Sequence, residues 1–119
     1  LADERFESVA EARFFYLCFR WSVPMPQPQY VVEDRAGLSV ARLDFAWPAR
    51  KRWVEVDGRV KYEKLLREGE RASDVVLREK RREKMVQDIT GWECLRIDND
   101  DLSWGRHTAE RVRQFLDAG

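Results

Sequence analysis

The chain runs through two hydrophobic rhythms, and the points where the rhythm changes divide it into elements. Over residues 3–21 apolar side chains recur at Phe6, Ala10, Phe14, Leu17 and Trp21, a spacing that draws one stripe along an amphipathic helix. Pro24, Pro26 and Pro28 then end it, because proline lacks the amide that a helix interior needs. Two extended segments follow at 29–33 and 38–47, with Asp34-Arg35-Ala36-Gly37 as the turn between them. A third, at 52–57, is joined through Pro48-Ala49-Arg50-Lys51, so the three read as an antiparallel meander. Residues 63–72, charged and containing Gly69, read as a loop. Ser73 is a fair N-cap for a helix over 74–89; residues 92–97 read as a fourth strand and 106–117 as a closing helix. The order α-β-β-β-α-β-α predicts an α/β domain whose mixed sheet is covered by helices on both faces. There is no internal repeat and no low-complexity tract.

Composition narrows this picture. The 119 residues suit one domain, and 44% hydrophobic residues with five tryptophans supply a single core. Formal net charge is zero and the pI is about 6.8, which argues against a protein that simply coats DNA. It argues less against an enzyme, whose metal-site carboxylates offset basic residues elsewhere. Cys18 and Cys94 sit inside apolar periodic segments and read as two buried thiols of a reduced, cytoplasmic protein. No apolar run approaches the roughly 18 residues of a membrane span, and no secretory leader is visible. The chain opens on Leu1 rather than Met, as a processed product or a domain cut from a longer protein would. His107 is the only histidine, which leaves neither a zinc set nor a Ser/His/Asp arrangement.

The chemistry concentrates in Arg42-Leu43-Asp44-Phe45-Ala46-Trp47 and Trp53-Val54-Glu55-Val56-Asp57-Gly58. With Pro48–Lys51 as a four-residue turn, Asp44 lies opposite Glu55 and Arg42 opposite Asp57, while Leu43, Phe45, Val54 and Val56 share the other face. Like charges directly opposed in a sheet are destabilising. Either a divalent cation such as Mg²⁺ lies between the two carboxylates, or they splay apart at a solvated edge. Glu11 flanks the first helix's stripe, where spacing alone makes it a surface residue. In the second long helix Val75, Met85, Val86 and Ile89 form the apolar stripe, yet Arg78 and Arg82 sit within it. Arginines turned toward a sheet require an anion, either protein carboxylates or a phosphate.

Taken in order, several pieces resemble a bacterial family of uncharacterised domains grouped with the very-short-patch-repair endonucleases, within the PD-(D/E)xK restriction-endonuclease-like superfamily. They are Glu11; Val23-Pro24-Met25-Pro26 with Gln29; Arg42 to Pro48; Val54 to Tyr62; Glu79-Lys80-Arg81-Arg82-Glu83; and Gly91-Trp92 with Leu95-Arg96. The resemblance covers roughly residues 8–103. It implies a restriction-endonuclease-like core and a DNA endonuclease dependent on Mg²⁺ or Mn²⁺, serving repair or defence. Asp44, Glu55 and Val56 would then hold the metal, and Glu11 would be the accessory acid from the first helix. The family pattern has lysine two residues after the glutamate, where this chain has Asp57, so Lys61 is the candidate for the displaced amine. Glu11, Asp44, Glu55, Asp57 and Lys61 form the implied catalytic set, with Arg78 and Arg82 on DNA phosphates. In related proteins the domain often follows an antitoxin-like winged helix, so an N-terminal DNA-binding domain or a partner protein is a further expectation. The rival reading is a catalytically inactive DNA-binding or interaction domain of a toxin–antitoxin-type protein. An RNase H-like nuclease fits less well, since its order usually opens with the strand meander.

Overall fold

A computed structural model of the chain describes residues 8–57, 69 and 71–118. Helix α1 (Val9–Arg20) is followed by strands β1 (Gln27–Glu33), β2 (Ser39–Trp47) and β3 (Arg52–Asp57). Helix α2 (Ala72–Thr90), strand β4 (Glu93–Asp98), a short α3 (Asn99–Ser103) and α4 (Gly105–Asp117) complete it. The four strands form one sheet in the order β1-β2-β3-β4, antiparallel except for the parallel β3–β4 pair. This is the mixed, helix-flanked α/β sheet that the element order predicts, with a C-terminal helix. No described helix is long and apolar enough to cross a membrane.

Local chemistry explains where the elements begin and end. Ser8 is extended, and its hydroxyl accepts the Glu11 amide at 3.2 Å, so α1 starts at Val9; residues 3–7 of the predicted helix lie outside the described residues. Phe6, the first member of the predicted stripe, lies outside the described residues. Asp34 accepts the amides of Ala36 and Leu38 at 2.9 and 3.0 Å, and Gly37 takes φ +82°, which closes the β1–β2 turn as expected. Strand β1 starts earlier than predicted and includes Pro28. A proline is tolerated there because β1 is an edge strand with one unpaired side. Pro48–Arg50 forms one 3-10 turn with Lys51 left-handed at its end, which returns the chain into β3. The cap of helix α2 is Arg71, two residues before the predicted Ser73, because the Asp74 carboxylate accepts the Arg71 amide at 3.0 Å. Gly91 (φ +74°) ends it, its amide donating to Gln87 at 2.8 Å. The unpredicted α3 is nucleated by Asp98 and Asp101, each carboxylate accepting the other's amide.

The sheet separates two cores of unequal character. Toward α1, α3 and α4, Phe14, Leu17, Cys18, Phe45, Val54, Val56, Ile97, Val112 and Leu116 are buried together. Toward α2, Val32, Leu43, Ala46 and Trp53 meet a single buried helix side chain, Val86. Met85 and Ile89 are exposed, so the inward face of α2 is Val75, Glu79, Arg82 and Val86 rather than the predicted apolar stripe. Leu43 packs with Trp53 whereas Phe45, two residues on, packs with Phe14. Strand alternation would keep both on one face, so β2 exchanges faces at Asp44 and the predicted grouping of Leu43 with Phe45 is not made. Gln29, between the paired Pro28/Phe45 and Tyr30/Leu43, is left-handed (φ +52°), which absorbs the same irregularity in β1.

Replacing Phe14, fully buried and 5.0 Å ring to ring from Phe45, with alanine is expected to cost about 3–5 kcal/mol of stability, read by urea unfolding. Cys18 is buried and Cys94 half-buried, and burial raises the Cys18 thiol from 9.0 to about 12. That contribution to stability is complete below pH 9.0 and falls as pH rises towards about 12, while the unfolded chain ionises. Cys18 should therefore resist a thiol reagent at mildly alkaline pH until the protein is unfolded, as counted by mass spectrometry.

Candidate functional site

Asp44 and Glu55 meet at the seam between β2 and β3. The antiparallel ladder pairs Trp47 with Arg52, Ala46 with Trp53 and Phe45 with Val54, which is the predicted register, and it stops there. Beyond it, the Asp44 amide donates to Glu55 Oε2 at 2.9 Å, and the Val56 amide donates to Asp44 Oδ2 at 2.8 Å. Each strand thus offers an amide to the other strand's carboxylate where main-chain bonds would otherwise run. Both side chains are buried, with 4% and 1% of their surface exposed. Charge-assisted bonds from buried amides are worth about 1.5–3 kcal/mol each, which offsets part of the desolvation of two acids. The splayed, solvated edge is thereby ruled out.

Arg82 supplies the opposite charge. From the inner face of α2 its Nη1 donates to Glu55 Oε1 at 2.8 Å, Glu79 stands 3.7 Å away on the same helix, and Nη2 donates to the Arg42 carbonyl. The guanidinium keeps 25% exposure. Burial pulls its pKa down, but the charges of Glu55, Glu79 and Asp44 together outweigh that and raise it. Arg82 is therefore turned to the sheet and paired with carboxylates, one of the two anion types its position predicted. Arg78 is half-buried on the same helix.

The other predicted residues are placed as follows. Glu11 is 1% exposed, not a surface residue: the Ser8 hydroxyl donates to its Oε2 at 3.3 Å and the Gln29 amide to its Oε1 at 2.6 Å. Gln29 in turn lies at the β1 position across from Asp44, so α1 is linked to the seam through one side chain. Val56 turns its side chain into the opposite core and offers the seam its main chain. Asp57 is not paired with Arg42; Arg96 Nη1 donates to both its oxygens at 2.8 and 2.9 Å, and Arg96 Nε donates to Glu83 at 2.8 Å. Both acids outweigh the cost of burial and raise the Arg96 pKa. Lys61 and most of the loop expected over 63–72 lie outside the described residues. Sequence reading missed the joining roles of Gln29, Glu83 and Arg96. Gln29 was accessible through the β1–β2 register, whereas nothing local in the sequence sets the register of the parallel β3–β4 pair.

Hard divalent cations such as Mg²⁺ or Mn²⁺ keep several waters and take one or two protein carboxylates, the ligand class of Asp44 and Glu55. Among the described residues no three Asp, Glu, His or Cys side chains cluster as a cation cage. No protein-family model, no curated protein and no solved structure matches the chain.

Arg82→Ala leaves Glu55 buried without this partner and should cost about 1–3 kcal/mol, less than a fully buried pair because the guanidinium is partly solvated. Combined with Glu55→Gln, the two losses should be non-additive by about 1 kcal/mol or more in urea denaturation.

Proposed function

We propose that the chain is a Mg²⁺- or Mn²⁺-dependent DNA endonuclease, a restriction-endonuclease-like domain related to the very-short-patch-repair group. The observation that carries this reading is the Asp44–Glu55 pair, two acids buried side by side on adjacent strands. A domain with only a structural task gains nothing from that burial that apolar side chains would not supply better. The α-β-β-β-α-β order and a buried Glu11 delivered from α1 support the same reading.

A bound metal would polarise the scissile phosphate and lower the pKa of a bound water. The chain's own residues do the rest. Asp44, Glu55 and the main-chain carbonyl of Val56 would hold the ion, and Glu11, oriented by Gln29, would be the accessory acid from α1. Asp57, in the family's lysine position, fixes Arg96, whose Cα is paired with that of Glu55 in the parallel ladder. Lys61 remains the candidate amine. Arg78 and the exposed Lys80, Arg81 and Lys84 of α2 would hold flanking phosphates, which fixes register without reading sequence. The setting would be cytoplasmic DNA repair or defence, with an N-terminal DNA-binding domain or a partner protein supplying the address.

One observation favours a second reading, a catalytically inactive DNA-binding or interaction domain of toxin–antitoxin type: Glu55 already carries the positive charge of Arg82. Melting temperature and cleavage separate the two. The nuclease should melt higher in millimolar Mn²⁺, by the equivalent of about 2.7 kcal/mol at a hundredfold excess over Kd. It should also cut plasmid, linear or single-stranded DNA. Asp44→Asn keeps an oxygen for the Val56 amide, so the apo protein should be as stable as the wild type or more so, while the Mn²⁺ shift and all cleavage disappear. An inactive module shows no Mn²⁺ shift and no cleavage in the wild type.

A further inference from the structure

Arg82 stands between two carboxylates that it does not hold equally. It is 2.8 Å from Glu55, across the layer, and 3.7 Å from Glu79, three residues earlier on its own helix. Glu79 is itself largely shielded from solvent, at 12% exposure of its side chain, and is close enough to take the guanidinium without any movement of the helix. The second amine of Arg82 reaches the carbonyl of Arg42, a residue on the exposed rim of β2. The guanidinium keeps 25% exposure, against 1% for Glu55 and 12% for Glu79. It is thus the part of the seam that an incoming anion meets.

We propose that Arg82 is the resident counter-cation of the Asp44–Glu55 seam and that it couples nucleic-acid binding to metal binding. The proposal rests on the metal-site reading above. In the resting protein Arg82 neutralises Glu55 and competes with a divalent ion for it. A phosphodiester that draws the guanidinium outward, with Glu79 keeping it neutralised from behind, releases Glu55 Oε1 to the ion. Metal and DNA then bind with positive coupling, and by linkage each must tighten the other by the same factor. The arrangement weakens the protein's hold on a phosphate-cutting ion until a phosphate is present. Arg82 is here a positioning residue, acting through Glu55.

The test measures Mn²⁺ binding by the electron paramagnetic resonance of the free ion, with and without a short phosphorothioate duplex whose own Mn²⁺ binding is subtracted. The duplex should tighten Mn²⁺ binding by about fivefold or more, and Mn²⁺ should tighten duplex binding by the same factor. Arg82→Gln should bind Mn²⁺ more tightly than the wild type without DNA, and its coupling to the duplex should vanish. If that variant folds only with Mn²⁺ present, the rescue itself shows the competition. Arg82→Lys keeps the charge but not the fork and should fall between the two. A purely structural arginine predicts lower stability in these variants and no gain in Mn²⁺ affinity. The proposal is overturned if Mn²⁺ binds the wild type equally well with and without the duplex, or if Arg82→Gln binds it no more tightly. If the wild type binds no Mn²⁺ under any condition, the metal-site reading fails first and takes this one with it.

Discussion

Two negative charges buried side by side set the terms for everything around them. At about 5 Å and an effective dielectric between 20 and 80, Asp44 and Glu55 would repel by roughly 1–3 kcal/mol, in addition to losing their hydration. Among the described residues the fold answers with two crossing amides and with Arg82. Those answers dictate larger features. The main-chain ladder between β2 and β3 has to stop where the carboxylates take its amides. Strand β2 exchanges faces at that residue, and Gln29 adopts a left-handed conformation across from it. The helix over this face carries charge inward, and Arg82 of α2 reaches Glu55.

The consequence is a seam of alternating charge between α2 and the sheet. Arg82 reaches from helix to strand to hold Glu55, and Arg96 reaches from strand to helix to hold Glu83 while also gripping Asp57. Removing either partner of such a pair is costly, whereas the pair as a whole adds little over apolar packing. Charge pairs of this kind fix the position of α2 along the sheet more than they contribute to its attachment. On the opposite face α1 and α4 bury Phe45, Val54, Val56 and Ile97 in aliphatic and aromatic contact, with the Arg50–Asp117 ion pair exposed at its rim.

Much of this could be read from the sequence because short-range rules governed it. The β2–β3 register followed from a four-residue turn, and the alternation of Val54, Glu55 and Val56 left one place for the acid, so the two carboxylates were brought together as expected. The order of elements followed from where the hydrophobic period changes. What was not legible depended on partners distant in the chain. Glu11 looked like a surface residue because its neighbour, Gln29, arrives from another element. Met85 and Ile89 looked like core because an apolar residue was assumed to face the sheet, whereas Glu79 and Arg82 do so to serve Glu55. Ser8 and Glu11 carry the Ser-x-x-Glu pattern of a helix start, and a stricter use of that rule would have placed the start of α1.

The unequal cores also bear on how the molecule opens. Cooperative units in a native protein separate where buried apolar contact is sparse, and amide hydrogen exchange reports the order in which they do so. Among the described residues helix α2 is joined to the sheet by Val86 and ion pairs, while α1, α3 and α4 close over a continuous apolar layer. The sheet can therefore shed its cover on one side as a discrete, reversible excursion while the other side keeps the strands in register. The acids of the seam would meet solvent during that excursion, on a protein that has not unfolded.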